Sequence, residues 1–242
     1  MFEISSLKYN EKSIKFYTPN SMTKRRVANI FQKEPITIEW MNNIQPNEVV
    51  LDVGANVGMY TLMSGVSRLA RVFAFEPEAS NYFLLNENIK LNNIGETVTA
   101  WNCGVLDYDG QSVLYMSDLS GFGRAIHSVD EELNFDLTPK ETKFKQGINV
   151  ITLDSFCKNL EIVPDHIKID VDGLEHRIVS GNLATLEKAK TVIIEIQTTL
   201  KEHLAAVDMI LSLGFNLDKD QVKSSMRSAG DFKGAAEHLF YK

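Results

Sequence analysis

The chain has 242 residues, 44% apolar and 24% charged, with 25 Lys and Arg against 32 Asp and Glu for a formal net charge of −7. That length and balance describe one large folded domain with room for a central sheet, and exclude a disordered or fibrous chain. The acidic surplus, without a long basic run, lacks the footprint of a phosphate-backbone partner, so nucleic acid is not expected as a ligand.

Met1 to Phe16 scatters Glu3, Lys8, Glu11, Lys12 and Lys15 among its apolar positions, which does not fit the apolar core of a signal peptide. No apolar run approaches the length of a membrane span. Cys103 and Cys157 stand far apart without a CxxC spacing, which fits a reducing compartment and argues against a disulfide framework or a cysteine zinc site. The expectation is a cytoplasmic protein without stable membrane insertion. Met22 to Phe31 and Ile36 to Ile44 read as helices, so residues 1–46 are expected to form an N-terminal helical cap, with Lys24-Arg25-Arg26 read first as a solvated helix face and otherwise as a local contact to an anionic acceptor.

From Glu48 to Gln197 short β-branched runs alternate with helix-period segments. The runs are Val49 to Val53, Arg71 to Glu76, Val98 to Asn102, Ile167 to Val171 and Val192 to Ile196, nearly continuous in apolar residues as strands buried on both faces require. Met59 to Ala70, Ala79 to Leu91, Glu175 to Ala189 and His203 to Leu213 fit helices, and Ala235 to Tyr241 fits a last strand. The expected fold over residues 47–242 is a doubly wound α/β domain, a mostly parallel sheet with helices on both faces. A long insertion at about 108–147 opens with a hairpin-like Tyr108-Asp109-Gly110 turn. It continues through Ser120-Gly121-Phe122-Gly123-Arg124, read either as a lid with glycine hinges or as a plain loop.

The turn after the first run carries the first chemical signal. Gly54 and Gly58 bracket Asn56 where a buried strand passes into a helix, a place where backbone approaches a ligand too closely for a Cβ. Glu76 ends the second run, where doubly wound folds offer a carboxylate to both hydroxyls of a ribose, and Pro77 fixes the loop behind it. A nucleoside cofactor is implied, with Cys103 and Gly104 after the third run completing the expected contacts. The spacing G-x-x-x-G is not the G-x-G-x-x-G of a pyrophosphate cradle. Asp52, directly before the turn, would repel a pyrophosphate but suits the ammonium of a methionine moiety. S-adenosylmethionine is favoured over NAD on these grounds.

The blocks VVLDVGANVGMYTL, FAFEPEASNYFLLNENIKLNN, ITLDSF, IKIDVDGLE and VIIEI, in that order over residues 48–197, make the chain resemble the FkbM-type methyltransferase family. The resemblance implies a class I, Rossmann-like methyltransferase fold with a seven-stranded sheet, S-adenosylmethionine as cofactor, and commonly O-methylation of sugar or polyketide hydroxyls; a sugar, glycan or related small metabolite is the expected acceptor. Asp172 departs from the family pattern, in which glutamate more often precedes the glycine.

Methyl transfer to a hydroxyl needs alignment and removal of a proton. Lys168, Asp170 and Asp172 alternate onto one side of the fourth run, with Glu175 and His176 just beyond and Glu195 on the neighbouring run. In the preferred reading Asp170, Glu175 or His176 serves as general base or orients the hydroxyl, with Lys168 beside them and no metal. In the other, Asp170, Asp172 and Glu195 hold a divalent ion. The bland alternative makes Lys168 and Asp170 a strand-ordering ion pair, with Asp172 and Glu175 capping the next helix. His127, His176 and His203 read individually as surface residues. The acceptor is expected to be a small molecule or glycan, and the oligomeric state is not legible. A nicotinamide-dependent oxidoreductase and a non-catalytic nucleoside-binding module remain the competing functions.

Overall fold

The N-terminal segment starts with a β-hairpin, β1 (Ile4–Tyr9) and β2 (Lys12–Tyr17), in antiparallel register. The computed structural model describes residues 2–119, 121–125 and 127–242. Met1, Ser120 and Ile126 lie outside the described residues, and with Ser120 the first residue of the expected Ser120–Arg124 segment. The hairpin loop, Asn10 and Glu11, has φ of 48° and 60°, the left-handed pair of a two-residue turn. Leu7, Tyr9, Ile14 and Phe16 are buried along one face. The helical cap is therefore corrected to a hairpin followed by two helices, α1 (Ser21–Lys33) and α2 (Pro35–Asn42). A capping box opens α1, with Asn20 Oδ1 accepting from Thr23 N at 2.9 Å.

The chain continues through β3 (Val49–Val53), α3 (Met59–Leu62) with a π-helical turn over Met63–Ser67, β4 (Arg71–Phe75), α4 (Ala79–Leu91) and β5 (Val98–Trp101). Among the described residues, β6 (Gly104–Val105), just before the insertion, joins the insertion's β7 (Gly110–Met116), β8 (His127–Val129) and β9 (Phe144–Ile151) in a four-stranded sheet of order β6-β9-β7-β8. After α5 (Leu153–Asn159), β10 (His166–Ile169), α6 (Glu175–Gly181), α7 (Leu183–Leu186), β11 (Thr191–Gln197) and α8 (Lys201–Ser212), the chain ends in β12 (Asn216–Leu217), α9 (Lys219–Ser225) and β13 (Ala235–Tyr241).

Among the described residues the central sheet has seven strands in the order β12-β13-β11-β10-β3-β4-β5. Those from β11 to β5 are parallel, and β13 runs antiparallel to β11 and β12. Strand order reverses between β3 and β10, so a crevice opens at their carboxyl ends. The period-2 alternation divides the core. Leu51, Val53, Phe75 and Ile169 pack with α5 to α8, while Val50, Val72 and Ile193 pack with the hairpin and α1 to α4. No helix among the described residues is long and apolar enough to cross a membrane.

The helix expected from Glu175 to Ala189 breaks at Asn182, which has φ −137°. Its side chain is spent elsewhere: Oδ1 accepts from the N–H groups of Leu153 and Asp154 at the start of α5, and Nδ2 donates to Leu106 O at 3.0 Å. Gly181 immediately before it lies so close to Asp107 that a Cβ would fall 2.2 Å from Asp107 Cα. A side-chain cap for a neighbouring helix has overridden the local helical pattern.

Candidate active site

From Val53 the chain turns through Gly54, Asn56 and Gly58 at φ of 84°, 52° and 89°. The physical reason for the glycines differs from the expectation. A Cβ on Gly54 would stand 1.9 Å from the Asp170 carbonyl oxygen, and one on Gly58 2.5 Å from Leu85 Cδ1, so strand and helix packing demand them. Gly54 N and Ala55 N both donate to Phe75 O at 3.0 Å, fixing the turn against β4.

Glu76 follows β4 and is 5% exposed. Its Oε2 accepts from Asn56 N at 2.8 Å and its Oε1 from Glu78 N at 2.9 Å. Each oxygen keeps a further acceptor position, and the side chain lines an open cavity, about 610 Å³ with its solvent-filled mouth included, together with Gly54, Asn56, Pro77, Cys103 and Gly104. Two spare acceptor positions on one carboxylate fit a ribose diol, so the residues present suit the nucleoside half of S-adenosylmethionine. Burial, helped by the neighbouring Glu78 charge, pushes the Glu76 carboxyl up to about 7, against the pull of the two N–H donors and the Asn81 side chain. Binding that needs the ionised form therefore weakens on acidification. The affinity for S-adenosylhomocysteine should fall about tenfold between pH 8 and pH 6, measured by titration calorimetry, with Glu76→Gln flat over that range.

Asp52 and Gly58 do not line this cavity. The register of β3 turns the Asp52 side chain toward α3, where Oδ2 accepts from Thr61 Oγ1 at 2.5 Å, and Oδ1 is buried without a hydrogen-bond partner. Burial raises its pKa, although Lys168 opposes the shift. Receipt of a methionine ammonium by Asp52 is not the contact this geometry favours.

Residues 121–125 form a strap whose end, Arg124 and Ala125, lines the cavity. Asn56 Nδ2 and Asn81 Nδ2 both donate to Arg124 O, at 2.7 and 3.0 Å, and Asn81 Oδ1 accepts from Gly123 N at 2.7 Å. From α1, Arg26 Nε donates to Gly123 O and Asn20 Nδ2 to Phe122 O, each at 2.9 Å. Arg26 thus leaves the solvated face expected for Lys24-Arg25-Arg26. Asn81 escaped the sequence reading, since its one signal was a place in the first turn of a helix behind Pro77. Asn81→Ala should loosen the strap, seen as faster limited proteolysis between residues 117 and 126 and a several-fold faster release of S-adenosylhomocysteine; an unchanged cleavage rate would mean the strap holds without it.

From within β10, Lys168 Nζ lies 2.8 Å from Oδ2 of Asp170, the residue after the strand, and 4.9 Å from the Tyr60 ring centroid. Burial disfavours both charges of the pair. The Lys168 ammonium, with Lys33, nevertheless holds the Asp170 carboxyl below the ordinary carboxylate range, and Asp170, Glu34 and Asp52 hold Lys168 above its own. One ligand oxygen each from Asp170, Asp172 and Glu195 lies within 4.8 Å of the others. Glu195 stands directly across the ladder from Glu237 and pairs with Arg227. Burial first, then repulsion from Asp170, raises the Glu195 carboxyl well above its usual range.

Three cavities converge on these carboxylates. Asp170 lines both the large cavity and a second of about 210 Å³ beside Glu34, Thr37, Lys168 and Glu237. Asp172 joins the large cavity to a third of about 230 Å³, which holds Phe135, Gln197 and Phe232, and Glu195 belongs to the second and third. Of the other expected catalytic residues, Lys168 reaches only the second cavity. Glu175 lines the third, but its oxygens accept from Val171 N at 3.1 Å and Gly173 N at 2.9 Å, so it shapes the loop in which Asp172 has φ 60°. His176 lines none of the three; its ring packs 5.6 Å from that of His203. The surface reading of the histidines is corrected: His203 is 2% exposed, donating from Nε2 to Gly173 O at 3.0 Å while Nδ1 accepts from Gln197 N, and His127 lines the large cavity.

Comparison with known proteins gives the same lineage. A methyltransferase sdnD from Sordaria araneosa is 25% identical, the match covering 75% of this chain and 78% of that protein. The hexuronic acid methyltransferase AglP of Haloferax volcanii is also 25% identical, over 71% of this chain and 65% of that protein, just under two thirds of its length. A solved structure, a putative rRNA methylase from Clostridium thermocellum, shares the fold at a TM-score of 0.50 and 10% identity, covering 86% of this chain and 94% of that one. Residues 52–217 match the family described as the Methyltransferase FkbM domain, and the chain belongs to that family.

Proposed function

We propose that this protein is an S-adenosylmethionine-dependent O-methyltransferase acting on a hydroxyl of a sugar, glycan or related polyhydroxylated small molecule. The observation that carries the reading is the meeting of the nucleoside cavity with two smaller cavities at Asp170, Asp172 and Glu195. Bound S-adenosylmethionine supplies an electrophilic methyl carbon for in-line displacement by the hydroxyl oxygen. Glu76 holds the ribose. Asp170, kept ionised by Lys168, accepts a hydrogen bond from the acceptor hydroxyl and aligns it. Glu195, its proton affinity raised by burial, takes the proton as the oxygen–carbon bond forms. The Phe135 and Phe232 rings, 4.3 Å apart at the third cavity, offer an apolar face for a pyranose ring. The hexuronic acid specificity in the name of the AglP relative supports a sugar acceptor. Incubation with S-adenosylmethionine and a panel of monosaccharides and glycosides, read by mass spectrometry, should yield a product heavier by one methylene with stoichiometric S-adenosylhomocysteine. Hydride exchange with NADH in place of methyl transfer would replace this reading.

A second reading rests on the 4.8 Å clustering of the Asp170, Asp172 and Glu195 ligand atoms, which suits a divalent cation that acidifies the hydroxyl. Loss of activity on chelation and its return with Mg²⁺ would favour it; activity indifferent to chelator favours the carboxylate mechanism.

A further inference from the structure

Beside the strap, β8 brings the insertion to the large cavity. His127 and Val129, on one face of it, both line the cavity, while Ser128 between them does not. Val129 packs on the floor of the nucleoside end, since a Cβ on Gly104 would lie 3.4 Å from its Cγ2. Gly104 is in turn joined to the Glu76 corner, where Asn102 Nδ2 donates to Glu76 O at 2.9 Å and Glu76 N to Trp101 O at 3.0 Å. Three residues before His127 comes the strap carbonyl of Arg124, held by Asn56 and Asn81. His127 is thus fastened to the nucleoside half of the cavity from both sides.

Within that wall both His127 ring nitrogens are buried and neither has a hydrogen-bond partner. A neutral imidazole presents one N–H and one lone pair, and burying both unpaired is unfavourable. Burial, helped by Lys140, holds its pKa down at about 4, against the pull of Glu78 and Asp118, so the ring is neutral at ordinary pH. With the ribose diol assigned to Glu76 in the reading above, the remaining polar part of the nucleoside is the purine, whose edges carry amino donors beside ring-nitrogen acceptors. A neutral imidazole complements such an edge with either its donor or its acceptor.

Resting on the S-adenosylmethionine reading above, we propose that His127 is a purine-recognition residue, contributed by the insertion rather than by the central sheet, that hydrogen-bonds the adenine of the bound cofactor. Its unmet hydrogen bonds in the free protein are the counterpart of those it makes on binding. A merely structural histidine and a recognition histidine then differ in sign: removing the former lowers stability, whereas removing the latter leaves the free protein as stable or more so and lowers affinity.

The test compares the unaltered protein with His127→Leu and His127→Gln by calorimetric titration with S-adenosylhomocysteine and with S-inosylhomocysteine, together with thermal melting without ligand. The expected result is a Kd for S-adenosylhomocysteine raised tenfold or more in H127L, partial recovery in H127Q, loss in H127L of the preference for adenine over hypoxanthine, and a melting temperature of H127L no lower than that of the unaltered chain. Unchanged affinity and unchanged base preference in H127L would overturn the assignment while leaving the cofactor reading intact. Failure of the unaltered protein to bind S-adenosylhomocysteine would overturn both. A lower melting temperature with unaltered base preference would make His127 structural.

Discussion

Glu76→Ala is expected to weaken S-adenosylhomocysteine binding by about two orders of magnitude. Two charge-assisted hydrogen bonds to a ribose diol are worth about 1.5–3 kcal/mol each, and a loss of about 3 kcal/mol is already roughly a hundredfold in Kd. The variant also leaves Asn56 N and Glu78 N without the oxygens they now reach at 2.8 and 2.9 Å, so the glycine turn and the start of α4 lose their common anchor. Glu76→Gln separates the two effects, because it keeps the side chain's shape and one carbonyl oxygen while removing the charge. An intermediate affinity for it, read by the same titration, fits the account. Full affinity in Glu76→Ala would mean that the ribose lies elsewhere.

The second large effect is expected from Asp170→Asn. It should lower kcat by about a hundredfold or more, the size of an alignment and proton-transfer defect, while changing the Kd for S-adenosylhomocysteine by no more than about threefold. The same variant lowers the acid limb of the kcat–pH profile: with the Asp170 charge gone, one of the repulsions that raises the Glu195 carboxyl is removed, so Glu195 stays ionised to lower pH. Stability should also fall. Lys168, 5% exposed in its side chain, loses its nearest counter-charge, although Asp52 and Glu34 remain to oppose the charge. Breaking a fully buried pair costs about 3–5 kcal/mol, and since the Asp170 side chain is 26% exposed a loss of about 2 kcal/mol in urea unfolding is the expected figure. An unchanged kcat with the loss of stability would reduce Asp170 to its structural half, the ion pair that orders the end of β10.

Glu76 and Asp170 are conspicuous in the sequence, and the reason is local. Glu76 ends a buried apolar run directly before Pro77, and Asp170 interrupts another, so each is a charge where burial is otherwise continuous. The parallel strands were legible for the same reason. What stayed hidden has two causes, a turn without its usual residues and contacts between distant segments. The hairpin at Ile4–Tyr9 and Lys12–Tyr17 turns on Asn10 and Glu11 at positive φ, and Glu11 carries no turn signal. The break in the helix after Glu175 is made by Asn182 capping α5, 29 residues earlier in the chain at Leu153. Asn81 and Gly123 meet across 42 residues, and no spacing rule announces such a latch. The direction of Asp52 was set by the register of β3, which sends its side chain toward α3 even though the backbone stands at the mouth of the turn. The insertion gave only its opening turn, because β6 pairs with β9 across a separation that local pattern cannot encode.

In the proposed function the cavity bounded by Gly54, Glu76 and Gly104 holds the methyl donor with its sulfur directed at the Asp170, Asp172 and Glu195 junction. A crystal structure of the complex with S-adenosylhomocysteine tests it directly. The predicted result is a ribose on the Glu76 carboxylate, a purine against Gly104, and the sulfur facing the three carboxylates. A ligand seated in another cavity, or turned so that its sulfur faces away from that junction, would contradict it.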